Sequence, residues 1–350
     1  MRVGLVIYGS LDTVSGGYLY DRRLVDYLRR QGDTVEIIAL PWRRYGRHLT
    51  DNLAAGLPAR LAGEYDVLLQ DELCHPSLVW ANGRFARHAP LVAIVHHLRC
   101  SEARPRWQNA LYRSIERRYL RSVDAFVFNS LTTQQAVQSL VGDGRLYVVA
   151  TPGGDRFAAP VADERDRWRG PLRLLFVGNL IPRKGLHTLL AALASVSAEW
   201  QLSVVGRAAD PAYAWRMATL AARPPLVGRV AWHGALSDVE LAAQMAAAQV
   251  MVVPSDYEGF GIVYAEGMAS GLPAIATTGG AAAEIITDGV DGYLIAPGDA
   301  VALAERITTL AGDRARLAQM SAAARDHFER LPTWDDSCAA IRAFLLDITG

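Results

Sequence analysis

Two glutamates stand in an otherwise apolar, glycine-broken stretch of this chain, DYEGFGIVYAEGMASGLPAIAT, which spans residues 256–277. Glu258 and Glu266 have seven residues between them. An unpaired carboxylate is costly to bury, so a polar ligand or a positive side chain should meet each of them. Gly259 and Gly261 let the backbone approach a ligand closely, and the first-turn N–H groups of a following helix have no partner within that helix. The stretch therefore predicts a ligand site.

The only lysine of the chain, Lys184, is a second candidate, because the other 35 of the 36 basic residues are arginines. It lies in GNLIPRKG, where a predicted strand ends and a helix begins, and a helix N-terminus favours anions. The P-loop pattern GxxxxGK[ST] and the dinucleotide pattern GxGxxG are absent. A lone lysine among arginines indicates a need for a compact ammonium group, with chance survival as the alternative. We predict that Lys184 and Arg183 bind a pyrophosphate.

The two glutamates are expected to bind hydroxyl groups, since carboxylates beside a phosphate would repel it. Hydroxyl-bearing groups on both sides of a pyrophosphate describe a nucleotide sugar, with ribose on one side and a hexose on the other. The structural alternative is that Glu258 caps the helix and Glu266 pairs with a surface arginine. The combination with Lys184 and the glycines favours the ligand site.

The elements that must position these residues alternate along the whole chain, short runs rich in Val, Ile and Leu being followed by helical patterns. Continuous apolar strands between helices predict parallel sheets covered on both faces. The predicted strands are 3–9, 34–40, 66–70, 90–97, 124–130 and 145–150, and then 172–179, 201–206, 229–234, 250–254, 273–277 and 292–296. The predicted helices include 17–31, 184–196, 211–222, 238–248, 261–270 and 299–311.

This rhythm predicts an α/β fold of two doubly wound parallel-sheet (Rossmann-like) domains facing each other across a cleft. A seam is expected in residues 151–171, where prolines and glycines cluster around Pro160. We predict an N-terminal acceptor-side domain of residues 1–160, a C-terminal donor domain of residues 161–333, and a helix in 334–350 that packs back on the N-terminal domain. Ligands of such sheets lie at the carboxyl ends of the strands, and a cleft between two domains is the expected site.

Composition narrows the class of protein. The formal net charge of zero argues against a general nucleic-acid-binding protein. The charge is uneven, because residues 1–170 hold 23 arginines against 18 acidic residues, which suits an anionic lipid or a phosphorylated acceptor. The three scattered cysteines show neither metal spacing nor a disulfide framework, which indicates a reducing cytoplasm. No apolar run reaches the length of a spanning helix, so we expect a cytoplasmic protein, at most peripheral to a membrane.

The stretch EGFGIVYAEGMASGLP resembles the E-x7-E signature of the retaining GT-B glycosyltransferases of family 4, also called glycosyltransferase group 1. The resemblance covers nearly the whole chain and is most specific in the second predicted domain. It also includes FVGNLIPRKG, the Gly–Gly pair at 16–17, His96, the GG-D turn at 153–155, Gly279 and Gly280, Glu284, Gly289, Gly292, and PGD at 297–299.

The resemblance implies a GT-B fold and transfer of a sugar from a nucleotide-diphosphate sugar, with retention of configuration and without a metal or other cofactor. In this implied site Lys184 neutralises the diphosphate, Glu266 holds the ribose diol, and Glu258 binds hydroxyls of the transferred sugar and supports the transition state. His96 is implied to contact the sugar, with His97 as the alternative. The further donor-binding residues are Gly16, Gly17, Asn179, Arg183, Gly259, Phe260 and Gly261.

The chain departs from the family pattern at Asn179, where the family has an arginine, so donor affinity is expected to be weaker unless Arg183 supplies the charge. The absence of Asp-x-Asp agrees with the implied absence of a metal.

The acceptor is expected to contact the first predicted domain. PWRRYGRH (41–48) predicts a loop that mixes aromatic residues with arginines, and residues 104–121 predict a basic amphipathic helix. That helix should carry an apolar stripe and a row of arginines, the stripe being Trp107, Leu111, Ile115 and Tyr119, and the row Arg113, Arg117 and Arg121. The alternative is that the stripe packs on the sheet. Our prediction is a lipid or lipid-linked acceptor at an anionic membrane surface, with the oligomeric state left open.

Asp71, Glu72 and His75, in QDELCHP (70–76), are candidates for contact with an acceptor hydroxyl, or alternatively belong to a capped turn at a strand end. Two other functions stay open at this point, a nucleotide-sugar epimerase of the same architecture and a degenerate, non-catalytic GT-B binding subunit. Release of free nucleotide diphosphate only when an acceptor is present would identify a transferase.

Overall fold

A computed structural model describes residues 1–54, 56–84, 88–157 and 168–350. The chain divides into two compact units, one made of Met1–Pro152 with Trp334–Gly350 and the other of Gly153–Thr333. The predicted boundary between residues 160 and 161, and with it Pro160, lies outside the described residues.

The described residues of the first unit form a parallel sheet of six strands in the order β2-β1-β3-β4-β5-β6. Every residue of β3 and β4 is buried, as expected for apolar strands covered on both faces. The chain order reverses between β1 and β3, so the carboxyl ends of these neighbouring strands open a crevice for ligands. The strands are β1 Arg2–Tyr8, β2 Thr34–Leu40, β3 Val67–Asp71, β4 Leu91–Val95, β5 Ala125–Phe128 and β6 Leu146–Val149.

Helices connect these strands on both faces of the sheet. The helices are α1 Gly16–Arg30, α2 Tyr45–Asp51, α3 Gly56–Leu61, α4 His75–Leu78, α5 Arg106–Leu120 and α6 Leu131–Val141. The prediction of a loop over 41–48 is wrong in its second half, because α2 begins at Tyr45 and buries His48. Ser15 is the N-cap of helix α1, and its side chain accepts a hydrogen bond from the Tyr18 N–H.

The described residues of the second unit form another parallel sheet of six strands, in the order β12-β11-β10-β7-β8-β9. Strands β7 and β10 are neighbours, with Leu174 opposite Val250, so the loops that follow them meet at one edge of the sheet. The strands are β7 Leu172–Val177, β8 Trp200–Val205, β9 Val230–Gly234, β10 Val250–Val252, β11 Ala274–Thr277 and β12 Gly292–Ile295.

The helices of the second unit follow the predicted rhythm with shifted ends. They are α7 Leu186–Leu193, α8 Pro211–Ala221, α9 Asp238–Ala247, α10 Ile262–Ala269, α11 Ala300–Gly312 and α12 Arg314–Phe328. The helix predicted from residue 184 begins two residues later, because Pro182–Lys184 form a 3-10 turn and Gly185 has a φ of 70°.

The last helix, α13 (Trp334–Thr349), belongs to the first unit and packs against α1. Asp335 pairs with Arg30 at 2.5 Å, and the Arg342 guanidinium donates to the buried Asp33 carboxylate at 2.7 Å. The Trp334 ring lies edge-on to Tyr20, with centroids 5.9 Å apart. Both apolar and charged contacts therefore hold α13 on this unit.

Among the described residues, no helix is both long enough and apolar enough to cross a membrane.

Candidate active site

The loops after β7 and β10 bring four side chains together in the second unit, and we call Arg183, Lys184, Ser255 and Glu258 the lysine–carboxylate cluster. Nζ of Lys184 lies 2.5 Å from Oε1 of Glu258, and the Ser255 hydroxyl donates to the same oxygen at 2.6 Å. Nη1 of Arg183 lies 3.8 Å from Oε2 of Glu258 and donates to the Tyr257 carbonyl at 2.5 Å. A carboxylate that is 7% exposed thus has the positive and polar partners that its burial requires.

Glu258 of the lysine–carboxylate cluster is ionised at neutral pH. Burial alone would raise the pKa of Glu258, but the charges of Lys184 and Arg183 and the hydrogen bonds of Lys184 and Ser255 outweigh burial and lower this pKa to about 2. Burial lowers the pKa of Lys184, with Arg183 acting in the same direction and Glu258 opposing. The ammonium group is therefore preorganised at the carboxyl edge of the sheet, where an anionic ligand would compete with Glu258 for it.

Glycines hold the backbone of this cluster. A Cβ on Gly185 would lie 1.9 Å from the carbonyl oxygen of Pro254. Only glycine therefore lets the 3-10 turn that carries Lys184 approach the loop between β10 and Glu258. A Cβ on Gly280 would lie 2.0 Å from the Glu258 carbonyl oxygen. The Glu258 N–H donates to Gly279, and the Glu258 carbonyl accepts from Ala281, both at 2.9 Å. The loop that carries Glu258 is thus pinned on both sides.

The remaining donor-side candidates lie on the same stretch of backbone. Gly261 has a φ of 101° and begins α10 without a side-chain cap. The Tyr264 N–H donates to the Gly261 carbonyl at 2.9 Å, so an anion at this helix N-terminus would meet the N–H groups of Ile262 and Val263. Phe260 is buried, and Asn179 is half-buried just beyond β7. Glu266 is 4% exposed and lies one turn into α10, where its Oε1 is 3.3 Å from Nη1 of Arg156.

The first unit holds a second group of candidates, and we call Asp21, Asp71 and His96 the histidine cluster. Nε2 of His96 lies 3.2 Å from Oδ1 of Asp21, which is fully buried on α1. A Cβ on Gly17 would lie 3.0 Å from the imidazole, so the glycine makes room for the ring beside the first turn of α1. Gly16 is exposed at the start of that turn. The predicted Gly16–Gly17 pair and His96 therefore come together at the carboxyl edge of the first sheet.

The histidine cluster carries a charged imidazole. Burial lowers the pKa of His96, but the carboxylates of Asp21, Asp71 and Glu72 raise it by more than burial lowers it. The resulting pKa is about 9, above the ordinary value of 6.5. Burial and the charge of Asp21 raise the pKa of Asp71 to about 7, against the opposing effect of His96. At neutral pH the imidazolium offers hydrogen-bond donors and positive charge at this edge of the sheet.

We expect this ionisation to make the stability of the protein depend on pH. The pKa of His96 is about 9 in the folded chain against an ordinary value of 6.5, so its contribution is complete below about pH 6.5 and is lost as pH rises toward 9. Urea unfolding from pH 6 to 9.5 should show a steeper loss of unfolding free energy in the wild type than in His96→Gln. Parallel curves for the two proteins would contradict a charged His96, and Asp21→Asn should reduce the difference if Asp21 is its counter-charge.

His97 and the three acceptor candidates are occupied by local contacts. Nε2 of His97 lies 3.0 Å from Glu102. Oδ1 of Asp71 accepts from the Leu73 N–H and caps a 3-10 turn, Glu72–Cys74. His75 contacts the Glu72 carbonyl through Nδ1 and the Tyr45 hydroxyl through Nε2. Asp71, Glu72 and His75 are all buried, so the capped turn accounts for these contacts, and their contact with an acceptor stays a prediction.

Two groups of three potential metal ligands occur among the described residues, each with its ligand atoms within 4.8 Å of one another. One is the histidine cluster, in which an imidazolium already balances carboxylate charge. The other is Glu72, His75 and Glu116, in which both imidazole nitrogens have partners and Glu116 accepts from the N–H groups of Arg99 and Cys100. Oδ2 of Asp21 and Oε1 of Glu72 are nevertheless buried without a hydrogen-bond partner, so each group keeps one carboxylate oxygen that the fold does not satisfy.

Helix α5 differs from the predicted amphipathic helix. Its buried residues are Tyr112, Glu116, Tyr119 and Leu120, so of the predicted stripe only Tyr119 is fully buried. Trp107 and Leu111 are 71% and 50% exposed near its N-terminal end. Arg113, Arg117 and Arg121 are exposed, as predicted. The stripe therefore does not pack on the sheet along its whole length.

Two residues of these clusters, Ser255 and Asp21, and Arg156 beside Glu266 were missed at the sequence level. Ser255 lies three residues before Glu258, and Arg156 directly follows the GG-D turn, but neither position alone indicates a partner. Asp21 offered a usable signal, because it lies on the face of α1 that buries Leu24, Val25 and Leu28. A lone carboxylate on an apolar helix face indicates a buried partner.

Two family models match the chain over separate stretches. The model described as Glycosyltransferase Family 4 matches residues 16–153. The model described as Glycosyl transferases group 1 matches residues 171–313. The first stretch contains the histidine cluster, and the second contains the lysine–carboxylate cluster and Glu266.

Two curated relatives are similar to this chain in sequence, and one solved structure is similar to it in fold. The glycogen synthase of Mycobacterium tuberculosis is 26% identical over 272 residues, which are 77% of this chain and 65% of that protein. The GDP-mannose-dependent alpha-(1-6)-phosphatidylinositol monomannoside mannosyltransferase of the same organism is 30% identical over 247 residues, which are 67% and 64%. The chain thus spans just under two thirds of the length of both relatives. A sucrose-phosphate synthase structure from Thermosynechococcus elongatus shares the fold, with a TM-score of 0.86, 23% identity and 99% and 98% coverage.

Proposed function

This chain belongs to the glycosyl transferases of group 1, family 4, with their GT-B fold, and from that premise we propose that it moves a sugar from a nucleotide-diphosphate sugar to a hydroxyl acceptor. The observation that carries the proposal is the lysine–carboxylate cluster. It combines a preorganised ammonium group with a buried, ionised carboxylate, next to a helix N-terminus that can receive phosphate.

In the proposed donor complex, Lys184 exchanges part of its contact with Glu258 for the diphosphate, with Arg183 adding charge beside it. The exchange frees lone pairs of Glu258 for hydroxyls of the transferred sugar, while Glu266 accepts from the ribose diol. Asn179, Gly259 and the backbone at Phe260 and Gly261 line the same site. In the first unit, His96 and the Gly16–Gly17 turn contact the sugar or phosphate.

The chemistry we propose is retention of configuration by attack on the face from which the diphosphate leaves. The reaction then depends on stabilising the departing diphosphate, and Lys184, Arg183 and the α10 N-terminus supply that stabilisation. Glu258 adds negative charge near the sugar, where positive charge develops as the glycosidic bond breaks. No step in this scheme requires a divalent ion.

We therefore expect the reaction rate to be insensitive to chelators. EDTA is added in excess of any metal that is purified with the protein. Initial rates of transfer should then stay close to those of untreated enzyme, because protein groups stabilise the leaving group. The measurement is diphosphate release with and without EDTA, followed by added magnesium. Complete loss in EDTA that magnesium restores would show that a metal takes part.

For the acceptor we propose a lipid or lipid-linked molecule, and for the enzyme a cytoplasmic location on the membrane surface. Exposed Trp107 and Leu111 near the N-terminal end of α5, and exposed Trp42 after β2, support this proposal, because large apolar groups beside arginines suit an anionic interface. Helix α5 follows β4, whose carboxyl end carries His96, so Trp107 and Leu111 near the start of α5 lie toward the same edge of the first sheet as the histidine cluster.

Binding to anionic vesicles tests this acceptor proposal. Each basic residue near an anionic bilayer contributes about 1 kcal/mol, so Arg113, Arg117 and Arg121 together should give weak binding that salt reverses. Changing all three arginines to serine should reduce co-sedimentation with the vesicles at low salt. Trp107→Ser should remove the vesicle binding that persists at high salt. Trp215→Ser is the matched control, since Trp215 is 69% exposed in the second unit against 71% for Trp107. Absence of low-salt binding would exclude the lipid surface and leave the transferase proposal standing.

The experiment that tests the function is a panel of nucleotide sugars incubated with a lipid extract and read by mass spectrometry. A glycosylated product together with acceptor-dependent release of nucleotide diphosphate is the expected result. Conversion of the donor to an isomer without an acceptor would identify an epimerase. Donor binding without either reaction would identify a non-catalytic subunit.

A further inference from the structure

Arg156 contacts both Asp238 and Glu266, and the proposed reaction gives Arg156 no role. It directly follows the turn at residues 153–155. A Cβ on Gly154 would lie 2.8 Å from the backbone carbon and oxygen of Ala265, so the missing side chain lets this turn lie against α10. Ala265 immediately precedes Glu266, and the turn therefore delivers Arg156 to the carboxylate that we place on the ribose.

The Arg156 guanidinium uses all of its nitrogens in this place. Nη2 and Nε contact the Asp238 carboxylate at 2.6 and 3.3 Å, and Nη1 lies 3.3 Å from Oε1 of Glu266. A planar fork held at two nitrogens by one carboxylate has its third nitrogen aimed in a defined direction. The guanidinium also lies 4.9 Å from the centroid of the Phe157 ring, which restricts it further.

We propose that Arg156 is a positioning residue that orients the Glu266 carboxylate toward the ribose diol, and so makes the donor site prefer ribonucleotides to 2′-deoxyribonucleotides. The proposal rests on the role given to Glu266 in the proposed function. A carboxylate can accept about four hydrogen bonds, so contact with Arg156 is compatible with acceptance from both ribose hydroxyls. A lysine could not contact Asp238 through two nitrogens and Glu266 through a third with this fixed geometry.

The test is a set of dissociation constants measured by calorimetry on the full chain. The probes are ADP, GDP and UDP, the 2′-deoxy counterpart of each, and inorganic pyrophosphate. The quantity compared is the ratio of the dissociation constant of the 2′-deoxy form to that of the ribose form, for the diphosphate that binds most tightly. In the wild type this ratio should be about tenfold or more, the scale of one hydrogen bond to a charged group. Arg156→Lys should lower this ratio several-fold and leave pyrophosphate binding unchanged.

Two further variants make the result specific. Asp238→Asn should lower the ratio less than Arg156→Lys, because Arg156 stays but loses part of its constraint. Arg306→Lys is the matched control, because Arg306 is exposed in the same unit and stacks on Tyr293, and its ratio should equal that of the wild type. Thermal unfolding of each variant verifies that it is folded.

An unchanged ratio in Arg156→Lys would overturn the proposal, and so would an equal loss of ribose, deoxyribose and pyrophosphate binding, which indicates a structural role. Glu266→Gln separates this failure from failure of the proposed function. If Glu266→Gln also keeps the ratio, or if no diphosphate binds, the role of Glu266 itself is wrong. If Glu266→Gln loses the ratio while Arg156→Lys keeps it, only the inference fails.

Discussion

Lys184→Ala should lower kcat/KM by an amount equivalent to about 2–4 kcal/mol of transition-state stabilisation, the scale of removing one preorganised donor from a developing negative charge. The leaving diphosphate loses its compact positive partner, and Arg183, which donates to the Tyr257 carbonyl, compensates only in part. Lys184→Arg should also be impaired, since a planar fork does not replace a point charge. Steady-state kinetics with a saturating acceptor measures both variants.

Stability is the necessary control, because Lys184→Ala leaves Glu258 without its closest partner at 2.5 Å. Removing one partner of a buried ion pair costs about 3–5 kcal/mol of unfolding free energy, and we expect the lower end because 16% of the Lys184 side chain is exposed. In the double variant Lys184→Ala, Glu258→Gln the uncompensated charge is gone, so stability should largely return while turnover does not. Full activity in Lys184→Arg would refute the argument from the single lysine.

Separate replacements of the two glutamates should give opposite patterns. Glu266→Ala should weaken binding of the bare nucleoside diphosphate by about 1.5–3 kcal/mol, the value of a charge-assisted hydrogen bond. Glu258→Ala should leave diphosphate binding nearly intact, because the proposed role of Glu258 is to bind the transferred sugar and not the diphosphate, and should depress turnover. Calorimetry with nucleoside diphosphate and kinetics with the nucleotide sugar measure the two effects.

Glu258→Gln and Glu266→Gln are the matched controls, since each keeps the shape of the side chain and removes the charge. The reverse pattern, with loss of diphosphate binding in Glu258→Ala and loss of turnover alone in Glu266→Ala, would exchange the two roles. Equal losses of both properties in both variants would contradict separate roles.

The alternation of strands and helices was predictable because a parallel strand buried on both faces must be apolar throughout. Strands such as β3 and β4 show this in every residue. Helix ends were harder to predict. A 3-10 turn at Pro182–Lys184 and the left-handed conformation of Gly185 delay α7, and these depend on the approach of the Pro254 carbonyl from a distant loop.

Helix α5 shows where a sequence pattern fails. Trp107, Leu111, Ile115 and Tyr119 have helical spacing, yet Trp107 and Leu111 are exposed while Glu116 is buried. Periodicity indicates that a helix has an apolar face, but the neighbouring elements decide which part of that face they cover. Here the N–H groups of Arg99 and Cys100 meet the Glu116 carboxylate, at 2.6 and 3.2 Å, and make its burial tolerable.

Residue type and local spacing by themselves determined the class of fold and the identity of Lys184, Glu258 and Glu266 as candidates, because strand burial, glycine freedom and helix N-termini are local properties. Partners and charge states were decided only by the tertiary structure. Lys184 reaches Glu258 across 74 residues and Arg156 reaches Glu266 across 110, through strand order and the close approach of Gly154 to α10. The high pKa of His96 and the low pKa of Glu258 follow from the same cause, since ionisation depends on burial and on charges that only the folded chain brings near.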